Sequence, residues 1–433
     1  MSNMGMRRKT TNVDKINAKH EAIDDSHASR LTPHRVSSLM SRTQWLIARL
    51  GEVADLDLGK MLDQKKNKGI PRKYLANIDV RWGAFNFDNL KEMPFRDSEF
   101  ERYGLRYGDI VMCEGGEPGR CAIWKEQIPG MMYQKALHRI RPHDELDFRF
   151  LYYHFLLLGR KNGFAGLFTG STIKHMPKDK LALVEIPLPP LPVQRRIADI
   201  LSAYDDLIEN NRRRISILEE TARLAYRKWF GGANTAHTAT LGDLLEVIES
   251  GARPKGGAVT DGVPSIGAEK IEAIGIYDFT SEKYISREYY EKMRRGKIRS
   301  GDVLLYKDGA YTGKVSMALN GFPHSEAAVN EHVFILRTSD LKTQCYLYCF
   351  LRQPEIYEKI NTIASAKSCQ PGLNQADVLG MEIEVCSEAK IDQFGGVVID
   401  LFGQIVNIAK QSAALAAARD MLLPRLMKGE MNV

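Results

Sequence analysis

The segment Lys307-Asp308-Gly309-Ala310-Tyr311-Thr312-Gly313-Lys314-Val315 comes nearest to a catalytic signature in this chain. A phosphate loop needs four residues between its glycines, and a Ser or Thr after the lysine to hold magnesium. Here three residues separate the glycines and Val315 follows Lys314, so the segment reads as a turn between strands. Pro189-Pro190 lacks the preceding polar residue and following aromatic of an amino-methyltransferase pocket, and no glycine-rich loop for a cosubstrate accompanies it. The sequence contains no Gly-x-Ser-x-Gly, no His-Glu-x-x-His and no helicase-type nucleotide motif. Cysteines stand at 113, 121, 345, 349, 369 and 386 without a Cys-x-x-Cys pair, and the Cys345/Cys349 spacing has no second pair with matching histidines. Structural zinc and a disulfide framework are therefore disfavoured, and the thiols read as reduced and partly buried. The ten histidines do not cluster at ligand spacings; His138 and His332 read as satisfied core or surface residues.

Recognition is the chemistry that remains. Basic side chains concentrate in loops, where cations can sit on phosphates while nearby amide and phenol groups read base edges. The candidates for DNA contact in the first part of the chain are Lys66, Lys68, Arg72, Lys73, Ser171 and Lys174. In the second part they are Arg253, Lys255, Lys307, Tyr311, Lys314 and Gln370. The densest basic run, Lys292 through Arg299, lies in a region, 230–389, whose net charge is −4 although the whole chain carries +7. Any DNA binding there must come from one face, with the acidity elsewhere.

The elements that would position these residues are written twice. Leu50-Gly51-Glu52 recurs as Leu241-Gly242-Asp243 at an offset of 191, and Gly108-Asp109-Ile110-Val111 as Gly301-Asp302-Val303-Leu304 at 193. Gly119-Arg120 matches Gly313-Lys314 at 194; Ile140-Arg141 matches Leu336-Arg337, and Phe150-Leu151-Tyr152 matches Tyr346-Leu347-Tyr348, both at 196. The smooth drift fits two copies that differ by a few loop insertions. Asp109 to Cys113, Leu181 to Ile186 and Val303 to Tyr306 read as strands, and Phe150 to Leu158 as a short buried helix.

Each copy ends in a long helix. After Pro187, Pro189, Pro190 and Pro192, which stop the preceding strand, apolar residues fall at Ile197, Leu201, Tyr204, Ile208, Ile215, Leu218, Ala222, Ala225 and Trp229. With Asn211 included the steps alternate four and three, a heptad seam of the kind that drives helix pairing. The second seam is Ile391, Phe394, Val398, Leu401, Ile405, Ile408, Leu415, Leu422 and Leu426, interrupted by Ser412 and Arg419. Two seams of equal length favour packing against each other, with a buried Asn211 as a register device.

The domain reading is thus an N-terminal extension over 1–44, globules over 45–193 and 231–389, and coiled-coil helices over 194–230 and 390–430. The extension is polar and matches nothing in the second copy; either Met40 is the working start or the extension is a mobile tail. No apolar run reaches the ~20 residues of a membrane helix, and the first residues are not followed by the apolar core of a secretory signal. A cytoplasmic protein without membrane association is the expectation.

These residues carry a likeness. Leu188-Pro-Pro-Leu-Pro-Val-Gln-Arg-Arg-Ile-Ala-Asp-Ile-Leu-Ser-Ala-Tyr-Asp-Asp-Leu-Ile-Glu-Asn-Asn-Arg-Arg-Arg-Ile resembles the central conserved region of the specificity subunits of Type I restriction-modification systems. Gly170-Ser-Thr-Ile-Lys-His-Met, Ser250-Gly-Ala-Arg-Pro-Lys-Gly-Gly, Gln370-Pro-Gly-Leu-Asn and Leu423-Pro-Arg-Leu-Met-Lys-Gly-Glu support it. The resemblance covers residues 45–430 and departs from the pattern in the extension and at Ser387-Glu-Ala-Lys-Ile-Asp, where the first copy has its prolines. It implies an α+β fold in which two tandem target-recognition domains, mixed α/β globules, are separated by two helices forming an antiparallel coiled coil with pseudo-twofold symmetry. It further implies a non-catalytic chain that binds double-stranded DNA at a split, asymmetric site and docks two methyltransferase subunits, joined by restriction/translocase subunits. Cofactors are implied for the partners only: S-adenosylmethionine, ATP and Mg. A helix of about 36 residues spans roughly 54 Å, which limits the half-site centres to about 16 bp apart. The alternative is an interaction scaffold of the same architecture that has lost DNA reading.

Overall fold

The computed structural model describes residues 45–433 except 64, 66, 171–173, 233–236, 367–371 and 432. The extension over 1–44, Cys369 and the candidates Lys66, Ser171 and Gln370 lie outside the described residues.

Each half is built on a four-stranded antiparallel sheet with the same strand order. In the first, Ala54–Leu58 pairs with Leu137–Pro142, which pairs with Ile110–Cys113, which pairs with Cys121–Ile123. In the second the sequence is Val247–Ser250, Val333–Arg337, Val303–Tyr306 and Val315–Met317. Ile110–Cys113 has neighbours on both sides and is buried at every position, which is why it reads as an unbroken apolar run. A three-stranded sheet accompanies each: Lys91–Phe95, Ile70–Leu75, Met132–Tyr133 in one, and Tyr284–Ile285, Val263–Ile266, Ala328–Val329 in the other. In both, the closing pair is parallel. A two-stranded ribbon ties the ends of each half, Leu46–Arg49 with Glu185–Leu188 and His237–Thr240 with Glu382–Val385. The hairpin Val80–Arg81/Ala84–Phe85 belongs to the first half.

The strand expected over Leu181 to Ile186 is shorter. Lys178–Leu181 is a helical turn begun by Pro177, and the strand starts at Glu185. The backbone between serves the first repeat landmark instead: Leu50 donates to the Val184 carbonyl and Gly51 to that of Ala182. Leu241 donates likewise to Met381.

The two long helices are Leu191–Phe230 and Glu388–Met427, 40 residues each. They begin three and two residues before the expected boundaries at 194 and 390. Pro192 sits inside the first turn, where a missing N–H breaks no hydrogen bond and the fixed φ suits the helix. Ser387 replaces the proline run at the start of the second helix without shortening it. The helices run antiparallel. Phe394 meets Tyr226, Trp229 and Phe230, with ring centres 5.9, 6.0 and 5.1 Å away, while Arg419 reaches Asp205 near the other end.

Ile197, Leu201, Ile208, Asn211, Ile215 and Ala222 are buried, as are Ile391, Phe394, Val398, Ile405, Ile408 and Leu426. Tyr204, Leu218, Ala225, Trp229, Leu401, Leu415 and Leu422 are half-buried. Yet Tyr226, Phe230, Phe402, Val406, Ala409 and Leu423 are buried too, so the apolar face is wider than an a/d seam. The cause is a third helix at each end. Phe148–Arg160 braces one end: Tyr153 donates to Asp205 (2.7 Å), and Arg149 and Arg160 pair with Asp199 and Asp420. Leu341–Leu351 braces the other: Tyr348 donates to Glu219 (2.8 Å), to which Arg352 also donates (2.7 Å), and Lys342 pairs with Asp392.

The seam interruptions are accommodated from within the pair. Arg419 is held between Asp205 and Asp420, and Ser412 returns its hydroxyl to the Ile408 carbonyl. Asn211 accepts from Arg214 on its own helix (3.4 Å).

Candidate nucleic-acid interface

The matched landmarks Gly108-Asp109 and Arg141 meet in space. Arg141 donates to both carboxylate oxygens of Asp109 at 2.7 and 2.8 Å, and the Arg106 backbone N–H donates to the same group. In the second half Arg337 donates to both oxygens of Asp302 at 2.7 and 2.6 Å, joined by the Arg299 N–H. Both aspartates are 1% exposed. The hydrogen bond to the buried carboxylate is the largest cause holding Arg141 and Arg337 above the ordinary arginine range. A charge this deep needs such a fork. These pairs pin the central strand of each sheet to its neighbour and so fix the turn at the strand's far end.

That turn, 114–120 in one half and 307–314 in the other, ends in a glycine of positive φ, Gly119 (+94°) and Gly313 (+97°). A returning loop crosses it in both. Met176 donates to the Glu114 carbonyl (2.8 Å) and Leu373 to that of Lys307 (2.7 Å). The described ends of two motifs of the sequence, 174–176 and 372–374, thus lie against equivalent turns. The Lys307–Val315 segment is the connection between two strands, as its spacing indicates.

The candidate cations fall into two groups. In the first half Lys68 and Lys73 are exposed, and no ion pair involves them among the described residues. Lys174 is exposed with its ammonium 5.8 Å from the Phe168 ring centre. Arg72 instead lies flat on Phe100, 3.9 Å from its centre, with a further approach to Asp97. In the second half Lys255 is exposed, but Arg253 pairs with Glu331 (2.6 Å). His332 lies between Glu331 (3.5 Å) and Asp308 (2.5 Å), and Asp308 also takes Lys307. A chain of polar contacts through Glu331, His332 and Asp308 therefore links Arg253 to Lys307. Lys314 pairs with Glu272 and covers the exposed Tyr311, 4.6 Å from its ring centre.

Several positioning residues carry no signal in spacing or charge pattern. Asn77 donates to the Gly115 carbonyl (2.6 Å) and Arg120 to that of Asn77 (3.1 Å), securing the first turn. Gln194 is fully buried; its oxygen accepts from the Asp147 N–H and its amide donates to the Glu145 and Pro189 carbonyls. It sets the angle at which the first long helix leaves its globule.

Burial favours the neutral form of the core histidines and thiols. His138 donates through Nε2 to the Met176 carbonyl and His154 to that of Glu185, and burial lowers both, His154 to about 4. Cys113, Cys121, Cys345, Cys349 and Cys386 are fully buried free thiols, deeper than expected, with Cys345 pushed up to about 12 by burial. Among the described residues no group of His, Cys, Asp or Glu could hold a metal ion, and no helix is long and apolar enough to cross a membrane.

Residues 43–220 match the family model for the Type I restriction modification DNA specificity domain. The Type I restriction enzyme MjaIX specificity subunit of Methanocaldococcus jannaschii is 26% identical over 390 residues, 84% of this chain and 86% of that protein. The MjaVIII specificity subunit of the same organism is 25% identical over 186 residues, 41% of this chain and 44% of that one. Among solved structures, the Type I restriction-modification S subunit from M. genitalium aligns over 90% of this chain and 97% of its own, at 18% identity and a TM-score of 0.49. The domain match over residues 43–220 and the relative aligned over most of both chains make this chain similar to the specificity subunits of Type I restriction-modification systems.

Proposed function

We propose that the chain reads a split, asymmetric site on double-stranded DNA, with residues 45–193 and 231–389 as its two target-recognition domains. The helix pair is the ruler between them and, with adjoining surfaces, the dock for two methyltransferase subunits; restriction/translocase subunits join that complex. The chain supplies an address, while S-adenosylmethionine, ATP and Mg belong to its partners. One observation carries the reading: a single fold occurs twice, each copy bracing a different end of one antiparallel helix pair. Two such readers, differing in their loop residues, suit two different half-sites. Helices of 40 residues span about 60 Å, which caps the half-site centres at roughly 18 bp apart. Centres near one helical turn apart allow both to dock on one face of the duplex.

Adenine-methylation mapping in a methylation-free host, with the neighbouring methyltransferase subunit expressed with and without this chain, tests the reading. A split, asymmetric motif should appear only when both are present. Deleting one heptad from both long helices should shorten its spacer; an unchanged spacer would sink the ruler.

The scaffold alternative draws support from the second half, where net charge is −4 and Arg253, Lys307 and Lys314 are engaged by carboxylates. It predicts a stable complex with the methyltransferase and no methylation motif. Salt-dependent binding to one duplex over shuffled duplexes separates the two.

A further inference from the structure

The second half carries an opening that the first half fills. Gly59 and Gly251 hold equivalent places: a Cβ on Gly59 would lie 2.5 Å from the Tyr133 carbonyl oxygen, and one on Gly251 1.6 Å from that of Val329. The next residue in the first half is Lys60. Its ammonium lies 2.6 Å from Glu99, 2.8 Å from the Pro94 carbonyl and 4.7 Å from the Phe95 ring centre, nearly shut off from solvent. Burial works to raise the Glu99 pKa, but hydrogen bonds from Lys60 and the Arg96 backbone N–H, with the nearby Lys60 charge, hold the carboxyl below its usual range.

The second half reverses this arrangement. Ala252 follows Gly251, and Lys292 stands where Glu99 does, counting back from the equivalent bonds of Leu105 to Met131 and Ile298 to Ala327. A small side chain and a cation replace an internal ion pair. The result is a cleft of about 390 Å³ lined by Ala252, Tyr289, Lys292, Met293, Arg294 and Arg295. Its walls are fixed to each other. Tyr289 donates to the Ala252 carbonyl (3.3 Å), Val329 donates to that of Gly296 (2.9 Å), and Gly296, at φ +81°, backs directly on Gly251.

Arg294 and Arg295 are exposed, and among the described residues neither meets a carboxylate. Lys292 has Glu288 one turn back, an exposed pair that a phosphate can displace. Lys255 is exposed three residues beyond Ala252, beside Gly256 and Gly257, both open to space. Adjacent guanidinium forks over a floor of Met293 and Tyr289 suit a phosphodiester, whose charged oxygens sit beside an apolar sugar edge.

We propose that this cleft seats the DNA backbone at the second half-site, with Arg294, Arg295 and Lys292 taking phosphates. The inference rests on the DNA-reading function above and answers how a half with net charge −4 can hold a polyanion. It also moves the contact away from Lys307 and Lys314, whose charges are already answered.

Titrations of the full chain with a short mixed-sequence duplex over a salt series test it. The double variant R294Q/R295Q should flatten the plot of log affinity against log salt by about 1.8, two phosphates at ~0.9 each, with thermal unfolding unchanged. The variant A252K/K292E, which rebuilds the first half's plug, should weaken binding in the same direction with both arginines present. The pair deletion K314Q/E272Q should leave the slope alone. Wild-type chain that shows no salt-dependent binding defeats DNA reading itself. Wild-type binding with an unchanged slope in R294Q/R295Q defeats the cleft and leaves the reading standing.

Discussion

His138 and His154 lie in the core of the first half; Phe334 and Phe350 occupy the same places, 196 residues on, in the second. Each histidine gives Nε2 to a carbonyl and leaves Nδ1 buried without a partner among the described residues. By contrast the Asp–Arg pair is identical in both halves, down to the backbone N–H that completes it. The two copies thus differ where an aromatic ring of either kind fills the volume, and agree where a buried charge leaves one workable partner. The loops differ again: Lys68, Lys73 and Lys174 are exposed in the first half, while Lys307 and Lys314 are tied to carboxylates in the second. What is repeated is the frame, and what varies is what the frame presents.

The frame should fail equally in both halves. Arg141→Met and Arg337→Met each strand an aspartate that is 1% exposed with only a backbone N–H to serve it. Breaking a buried pair in this way costs about 3–5 kcal/mol. Hydrogen exchange resolved along the chain should show the loss confined to the half that carries the substitution. A loss in one half twice that in the other would break the equivalence of the two frames.

Acid should separate the halves. The His154 pKa falls from 6.5 to about 4 on folding, so between those values the unfolded chain binds the proton and the folded chain does not. The stability contributed is complete above pH 6.5 and is lost as pH falls toward 4, by about 3 kcal/mol in all. His138 is shifted the same way. Phe334 and Phe350 do not titrate. Exchange in the first half should therefore quicken between pH 6.5 and 4 ahead of the second, and H138F/H154F should remove the difference. Equal acid sensitivity after that double substitution would assign the gap to the histidines; persistence of the gap would locate it elsewhere.

How far the fold could be read from residues alone follows the same division. Repeated landmarks and heptad spacing were legible because they are local and periodic: Asp109, Asp302, Arg141 and Arg337 stood out as matched pairs, and Ile197 to Trp229 as a stripe. The width of the helix interface was not legible, since Tyr226, Phe230 and Phe402 are buried by bracing helices distant in sequence. Nor was the short turn at Lys178–Leu181, where the apolar run Leu181-Ala182-Leu183-Val184 mimics a buried strand while Pro177 starts a helical turn. For the candidate contacts, charge was legible but its availability was not. Nothing in the sequence says that Lys307 has Asp308 and that Lys314 has Glu272, or that Arg294 has neither.

The smallest effect tests that last distinction. Lys174 sits on the returning loop of the first half with no carboxylate partner among the described residues, its ammonium over Phe168. Arg253 sits at the loop end of the second half, bound to Glu331 at 2.6 Å. If Lys174 neutralises one phosphate, Lys174→Gln lowers the slope of log affinity against log salt by about 0.9 with no change in thermal stability. Removing Arg253 and Glu331 together, as R253Q/E331Q, deletes no net charge and should leave the slope within the error of wild type. The comparison matters because an exposed ion pair is weakly held: a phosphate could draw Arg253 away from Glu331 when DNA arrives. In that case R253Q/E331Q would lower the slope as much as K174Q does. The paired cations of the second half would then be a reserve released on binding, and the two halves would be more alike on DNA than they are without it.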